Sequence, residues 1–513
     1  TIVIFYSFLI NWFSANIGVL PIDTFGFFDT GYGILKGQLP ISDYWAYTGV
    51  VVDYFQAFFF YLFGNNWNSY VIHSSMINVL ASVIFYLFLL KIKLPNIFSF
   101  FYTLSFATLL YPVSGTPFAY LHAYIFSLVA IFILFISYYT DNIKLLIYVP
   151  IALFFSFFSM QTPSVYILGT IILFIFYIIF FEKNIKIIKY LFYGVLICLL
   201  IFTSYIFISK IEFKDLVYQY FLFPITIVDG RISGDMNAYL TLKNQLNFKR
   251  IFGDFKFVHL FLVPLILIQI QKIINKNFDK IFLISLAFIL STFLFLYNQL
   301  LQANQTYIFS LIPFAAALLH KNILSYFSEK KIYFLAMILL IVILATYKFH
   351  LRFNVERKFI DLENKSKSNF VYANEIHKNL NNLKWISNFT NPKKDKVFLK
   401  KVISILEKER ESSYLITHYN FFSTILDKNF YILNRWYLFD NNSHPTEGHI
   451  YFKYYKEFVN KNFEKNKIKT IYLINEDQEF TYNKIKGYFH EKCFDETELD
   501  GKRLIKLTLK KCI

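Results

Sequence analysis

Long apolar runs recur up to about residue 350, and they constrain the fold more than any other feature of the sequence. Each run is long enough to cross a bilayer as an α-helix, which takes about 17–25 residues. Hydrophobic residues make up 56% of the 513 residues and charged residues only 17%, so the interior of a soluble domain could not bury them all. The sequence therefore predicts a polytopic α-helical membrane protein. Its eleven candidate spans lie near residues 1–20, 69–90, 96–114, 119–139, 144–160, 164–181, 190–209, 256–271, 281–297, 304–320 and 332–349.

One further apolar run, Val50–Phe63, is too short to span and carries Asp53. We expect it to form a helix at the membrane interface, outside the count of spans.

The lysines between the spans predict an orientation with the N-terminus in the cytoplasm. Short loops on one side, at 111–118, 161–163 and 298–303, contain no Lys or Arg. Because positively charged loops stay in the cytoplasm, loops 21–68 and 210–255 and the C-terminus are predicted to lie outside. The lysines on the cytoplasmic side are then Lys91, Lys93, Lys144, Lys183, Lys186, Lys189, Lys272, Lys276, Lys280, Lys321, Lys330 and Lys331.

The chain after residue 350 is richer in charge and predicts a separate body. Residues 1–350 form the transmembrane domain, 351–398 a linker, and 399–513 a soluble α/β domain with a largely parallel sheet. The domain has no glycine-rich phosphate loop, so a nucleotide site is unsupported. The net charge of +17 is assigned to loop and surface lysines rather than to nucleic-acid binding. Its predicted strands are 413–417, 430–433, 470–474 and 503–509, and its helices 399–411, 422–427, 451–467 and 480–490.

Three cysteines limit the redox and metal chemistry of the chain. Cys493 and Cys512 flank the last strand unit and, outside the cytoplasm, form either a disulfide or two free thiols. Cys198 lies in a span and is expected to be a small buried side chain. No CxxC or HxxxH spacing is present, so a metal site is not predicted.

Candidate chemistry concentrates in the loop after the first span. Asp23 leaves that span directly, and Asp43 follows a turn from Gly37 to Pro40. Carboxylates at a membrane face are costly unless paired or used, although each could also be an ordinary loop residue or a helix cap. Asp29 and Asp53 are weaker candidates, because a solvent-facing helix surface would hold them equally well. The spacing of Phe25, Phe28, Tyr32 and Leu35 predicts a helix face that lies on the membrane.

This loop resembles that of the GT-C glycosyltransferases. The shared order is an acidic residue after the first span, a short helix, a G-x-x-P-x-x-D turn and a long apolar helix that ends in Phe-Gly. More narrowly, the chain resembles bacterial relatives of the protein O-mannosyltransferases and of the lipid A aminoarabinose transferase. The residues that carry the resemblance are Asp23, Gly37-Gln-Leu-Pro40, Asp43-Tyr-Trp45, Gly49, Asp53-Tyr-Phe-Gln56 and Leu62-Phe-Gly64.

The sequence departs from these relatives at three places. Thr24 follows Asp23, where many relatives have a second acidic residue. A Lys-Pro-Pro-like stretch is replaced by Tyr47-Thr-Gly-Val50, and Met160-Gln-Thr-Pro163 lacks the Lys of a similar stretch. Cations that bind phosphate in relatives therefore have no counterpart at these positions.

The resemblance implies a multi-pass enzyme of the bacterial inner membrane. It would move a sugar from a polyprenyl-phosphate donor to a glycan, lipid or protein acceptor on the periplasmic side. Asp23 would be the general base and Asp43 its partner, which holds the loop or binds sugar hydroxyls. No cofactor is required, and dependence on a divalent metal stays open. Candidate phosphate ligands in the second outer loop, each also explicable as a solvated charge, are Arg231, Lys243, Lys249 and Arg250, and candidate cavity residues are His122 and Asn304.

Two other functions stay open from the sequence. A polysaccharide polymerase or ligase that uses a diphosphate-linked glycan would favour an Arg- and His-rich outer loop, whereas 210–255 contains no His. A lipid or glycan transporter without enzymatic activity would favour mid-span charges and paired halves. Neither an internal repeat nor a buried ion pair is evident in the sequence.

Overall fold

The computed structural model describes residues 1–234, 241–303, 308–326, 332–388, 390–476, 480–489 and 492–511. Helices dominate up to residue 349, and they form a membrane body. They are α1 (Ile2–Ala15), α2 (Pro21–Thr24), α3 (Phe28–Leu35), α4 (Val50–Phe63), α5 (Trp67–Lys91), α6 (Asn96–Leu109), α7 (Ala119–Thr140), α8 (Tyr148–Ser159), α9 (Gln161–Phe180), α10 (Ile187–Ser209), α11 (Phe213–Leu216), α12 (Phe223–Ser233), α13 (Leu242–Gln245), α14 (Lys256–Ile274), α15 (Lys280–Leu301), α16 (Leu311–Tyr326) and α17 (Ile332–Phe349).

Eight helices in the described part of the chain are long and apolar enough to cross a membrane. They correspond to α5, α6 with the turn that follows it, α7, α9, α10, α14, α15 and an extended α17. The other three predicted spans, 1–20, 144–160 and 304–320, coincide with shorter apolar helices. The chain is therefore a multi-pass membrane protein, while the count of eleven spans and their orientation stay predictions. The short run Val50–Phe63 forms α4, as predicted.

The helix face in the loop after α1 is covered by protein, whereas the sequence analysis expected it to lie on the membrane. Phe25, Phe28 and Tyr32 are fully buried. The ring of Phe25 packs 4.8 Å from Phe421 and 5.9 Å from Trp385, both from the C-terminal region. The loop is therefore held between the membrane body and the chain after residue 350, which we call the tail. The prediction was wrong because an apolar helix face has the same spacing whether lipid or protein covers it.

A small sheet joins the two parts of the chain. Its strands are β1 (Ile17–Val19), β2 (Val371–Tyr372) and β3 (Lys384–Ser387), in the order β1-β3-β2, with β1 parallel and β2 antiparallel to β3. The buried guanidinium of Arg357 fastens the same region by donating to the carbonyl oxygens of Ile17, Pro112 and Ser114. The range 351–398, predicted to be a linker, thus contains two strands.

The described part of the tail contains a four-stranded sheet and four α-helices. The strand order is β4-β5-β7-β6, and only β4 and β5 are parallel, whereas β7 is antiparallel to both its neighbours. The expectation of a largely parallel sheet was wrong, and the predicted strand 430–433 is replaced by one isolated bridge, between Tyr431 and Tyr414. The elements are α18 (Pro392–Lys408), β4 (Ser413–Thr417), α19 (Phe422–Leu426), α20 (Phe452–Lys465), β5 (Thr470–Ile474), α21 (Tyr482–Ile485), β6 (Cys493–Glu498) and β7 (Leu504–Lys510).

Candidate functional site

Asp23 lies in the short helix α2 and faces a cavity of about 200 Å³. Pro21 starts this helix at a position where a missing backbone N–H costs nothing. No side-chain hydrogen bond to Asp23 is present within the described residues. We call this space the acidic cavity; its walls are Ile22, Asp23, Tyr47, Thr48, Phe118, Ala119, Tyr120, Met160, Gln302, Trp436 and Leu438.

Asp23 and the two segments in which the sequence departs from the relatives that it resembles meet at the acidic cavity. The backbone N–H of Gly49 and the hydroxyl of Thr48 both donate to the carbonyl oxygen of Ser159, at 2.8 Å each. The side-chain amide of Gln161 donates to the carbonyl oxygen of Tyr47 at 2.8 Å. Segments 47–50 and 160–163 are therefore fixed to each other beside Asp23, although more than a hundred residues separate them in the sequence.

Burial raises the pKa of the Asp23 carboxyl to about 7. The imidazole of His418 opposes this shift when it carries a proton, whereas the negative charges of Asp361 and Glu476 add to it. A general base works best when its pKa lies near the operating pH. Asp23 therefore has the environment that such a base requires.

His418 and Glu476 come from the tail and were missed by the sequence analysis. His418 follows β4 and Glu476 follows β5, and these two strands are parallel neighbours, so both residues lie at the carboxyl edge of the pair. Their side chains are about 7% exposed, with the Nδ1 of His418 3.5 Å from Oε1 of Glu476. The Nε2 of His418 is buried without a hydrogen bond among the described residues. The parallel register could have placed the two residues together, but nothing in the sequence linked them to Asp23.

A second cavity of about 450 Å³ adjoins the acidic cavity and shares Tyr47, Met160 and Gln302 with it. Arg231 lines this space, which we call the arginine cavity. Among the described residues, its guanidinium donates to three neutral groups, the carbonyl oxygen of Leu301, Oε1 of Gln302 and Oδ1 of Asn442.

The charge of Arg231 is not neutralised by an ion pair among the described residues. Its Nε is buried and has no hydrogen-bond partner there. Burial lowers the pKa of Arg231 from its usual range. A buried cation with unused donor capacity is suited to an anionic ligand.

A third space of about 550 Å³ continues from the arginine cavity, with which it shares Phe157 and Val165. Carbon atoms form nearly its whole lining, and α8, α9 and α10 supply its walls. We call it the apolar groove. The three spaces together lead from a carboxylate past a guanidinium to a surface that suits a hydrocarbon chain.

Asp43, predicted to be the partner of Asp23, does not line the acidic cavity. One of its carboxylate oxygens accepts a hydrogen bond from the backbone N–H of Leu39, and the other forms an ion pair with Lys465 in α20. These contacts close the Gly37 to Pro40 turn and hold it to the tail. The structure therefore gives Asp43 a role in positioning the loop.

Asp29 and Asp53 are buried rather than on a solvent-facing surface. Asp29 accepts hydrogen bonds from the backbone N–H groups of Ser423 and Thr424, so it caps α19 across the interface. Asp53 forms an ion pair with Arg435 of the tail, with both side chains at most 1% exposed. Both carboxylates thus join the loop to the tail.

The other predicted residues lie outside the three spaces. Lys243 and Lys249 are exposed, and Arg250 pairs with Asp254 at 3.0 Å. His122 is buried, with its Nε2 2.9 Å from Nε2 of His73.

Two further predictions fall on positions that the structure does not describe. Asn304 and Cys512 lie outside the described residues, so the disulfide to Cys493 stays a prediction. Among the residues that are described, no group of three or more His, Cys, Asp and Glu side chains is arranged to hold a metal ion.

No protein-family model matches the sequence. A search of curated proteins also finds no match. Solved structures of an archaeal oligosaccharyltransferase from Archaeoglobus fulgidus align along nearly the whole chain. The alignment with the structure that contains Zn and sulfate has 12% sequence identity and a TM-score of 0.46. It covers 97% of this chain and 72% of the archaeal chain. The alignment with the structure of oligosaccharyltransferase AglB in complex with an inhibitory peptide and a dolichol-phosphate has 12% sequence identity and a TM-score of 0.47. It covers 99% of this chain and 74% of the archaeal chain. At these TM-scores the likeness carries no argument about activity, which depends on the geometry of the site.

Proposed function

We propose that the chain is a GT-C type glycosyltransferase. It takes a sugar from a polyprenyl-phosphate donor and passes it to an acceptor hydroxyl on the periplasmic side of a bacterial inner membrane. The observation that carries this proposal is the row of three adjoining spaces, lined in turn by Asp23, by Arg231 and by the apolar side chains of the groove. A lipid-linked sugar phosphate consists of a sugar, a phosphate and a hydrocarbon chain in that order. These parts would lie at the acidic cavity, the arginine cavity and the apolar groove, respectively.

The acidic cavity supports the proposal that Asp23 is the general base. The acceptor hydroxyl gives its proton to Asp23 while its oxygen forms a bond to the anomeric carbon of the sugar. The bond between that carbon and the phosphate oxygen breaks, and its electron pair stays on the phosphate. Attack on the face opposite to the leaving phosphate inverts the configuration at this carbon. The pKa of about 7 allows Asp23 to be deprotonated before the step and protonated after it.

The arginine cavity supports the role of stabilising the leaving group. As the phosphate gains charge, a fixed guanidinium nearby lowers the energy of the transition state. The neutral partners of Arg231 orient it without cancelling its charge. The apolar groove would take the first isoprene units of the donor, which favour a carbon-lined surface over water.

The test uses purified protein in nanodiscs with a panel of labelled polyprenyl-phosphate sugars. Wild-type protein should release polyprenyl phosphate from at least one donor. Asp23→Asn keeps the shape of the side chain but removes the base, so turnover should fall by about 10²- to 10⁴-fold. Asp427→Asn is the matched control, because Asp427 is an exposed carboxylate paired with Lys36 and lies outside all three spaces.

A second pair of variants tests the phosphate contact. Arg231→Gln should raise the KM for the donor and lower kcat, because it removes the cation in the arginine cavity. Lys243→Gln removes the same charge from an exposed position of the same outer loop and should have little effect. Wild-type turnover by Asp23→Asn at equal protein amounts would refute the assignment of the base, and equal effects of the two cation variants would refute the phosphate contact.

A further inference from the structure

A separate cavity of about 470 Å³ lies at the other end of the spans, where α5 and α16 end and α15 begins. It does not share a residue with the three spaces of the candidate site. We call it the lysine cavity; its lining residues are Lys91, Lys93, Tyr139, Thr140, Asp279, Lys280, Ile281, Lys321 and Ser325.

The carboxylates at the lysine cavity are already neutralised by other cations. The buried ammonium of Lys272 lies 2.9 Å from the carboxylate of Asp279. The ammonium of Lys280 lies 2.6 Å from the carboxylate of Asp141. Both carboxylates are thus already paired, so they do not neutralise the other lysines that line the cavity.

Lys91, Lys93 and Lys321 are these other lysines. None of them has an ion pair or a side-chain hydrogen bond among the described residues. They come from two separate places in the chain, the end of α5 and the last part of α16, and line one concave space. Converging like charges are unfavourable unless an anion is present to share them.

We propose that the lysine cavity binds the phosphate group of an anionic phospholipid. It lies where apolar helices end, which is the depth of lipid headgroups in a bilayer. Basic pockets between membrane helices on the cytoplasmic side recognise such headgroups, and this is the side on which the lysine pattern places the cavity. The hydroxyl group of Tyr139, which also lines the cavity, adds a neutral donor for a phosphate oxygen. The proposal is independent of the glycosyltransferase activity.

The test measures lipid binding to the full chain in detergent by native mass spectrometry and by thermal shift. The variant is Lys91→Gln/Lys93→Gln/Lys321→Gln, compared with wild type during titration with phosphatidylglycerol and with phosphatidylcholine. Wild type should bind and be stabilised by phosphatidylglycerol, and the variant should bind it at least about tenfold more weakly. The single variants Lys93→Gln and Lys321→Gln, each expected to lose part of the affinity, keep the test informative if the triple variant does not fold.

The matched control is Lys183→Gln/Lys186→Gln/Lys189→Gln, which also removes three positive charges. These lysines are exposed on the same predicted side of the membrane and do not line the cavity. Equal loss of binding in both triple variants, or loss in neither, would overturn the proposal. Inorganic phosphate is titrated alone in a further arm. Stabilisation by phosphate as strong as that by phosphatidylglycerol would overturn the lipid as the source of the phosphate group.

Discussion

The ion pair between Asp53 and Arg435 should be a strong connection between the membrane body and the tail. The two side chains are 0% and 1% exposed. Asp53 also accepts hydrogen bonds from the hydroxyl groups of Thr30 and Tyr44. The guanidinium of Arg435 donates to the carbonyl oxygen of Thr48 and lies 4.5 Å from the ring centre of Phe27.

Arg435→Met removes the charge and keeps most of the side-chain length, so Asp53 is left as an unpaired buried carboxylate. Breaking a buried pair in this way costs about 3–5 kcal/mol. Since a tenfold change in an equilibrium constant corresponds to about 1.4 kcal/mol, separation of the tail from the loop should become roughly 10²- to 10⁴-fold more frequent. Asp53→Asn combined with Arg435→Met should cost less than the sum of the two single changes.

Amide hydrogen exchange in detergent micelles measures this opening directly. Protection of residues 27–53 and 420–436 should fall by the predicted factor in Arg435→Met, up to the limit set by global unfolding. Lys465→Met is the control, because it breaks the Lys465–Asp43 pair at the same interface. Lys465 is 53% exposed, and a pair of this kind contributes about 0–1 kcal/mol. The reasoning is refuted if the two variants exchange alike.

Three further predictions concern the site and the tail. His418→Gln removes an imidazole that lowers the pKa of Asp23 when it carries a proton, so the rise of turnover with pH, centred near 7 in wild type, should move to higher pH; an unchanged pH profile would contradict the coupling. Asp29→Ala removes the cap of α19 and should cost about 0.5–2 kcal/mol, seen as faster exchange in α19; wild-type protection there would contradict it. A bond between Cys493 and Cys512 should appear in non-reduced peptides by mass spectrometry and contribute about 3 kcal/mol, whereas two free thiols would end that prediction.

The helices of the membrane body were predictable because an apolar run of bilayer length has few other solutions in a folded chain. Within the described residues, all eleven predicted runs overlap apolar helices, and those at 1–20, 144–160 and 304–320 overlap the shorter ones, Ile2–Ala15, Ile143–Ser159 and Leu311–Ser325. The antiparallel part of the tail sheet was not predictable in the same way. Strand β6 reads Cys-Phe-Asp-Glu-Thr-Glu, and so much charge is compatible with an edge strand but does not indicate one.

The position of Asp23 was predictable, but the groups that tune it were not. Its place directly after the first span marked it in the sequence. His418 and Glu476 act from a region some 400 residues away, and no local pattern connects them to the loop that carries Asp23. Such long-range contacts form only when the tail packs against the membrane body. The periodic patterns of a single sequence predict local helices and strands, but they do not predict which distant residues come into contact.

The walls of the acidic cavity come from both parts of the chain, so the tail is a component of the candidate site. Trp436 and Leu438 of the tail line the cavity beside Asp23. The indole N–H of Trp436 donates to the carbonyl oxygen of Ile22, next to Asp23, at 2.9 Å. This bond fixes the wall relative to the carboxylate, and Arg435, which pairs with Asp53, directly precedes Trp436 in the tail.

If the tail separated from the loop, water would enter the cavity, and the burial that raises the pKa of Asp23 would be lost. The carboxylate would then return toward its ordinary acidity and become a weaker base. Docking of the tail and basicity of Asp23 are therefore expected to rise and fall together.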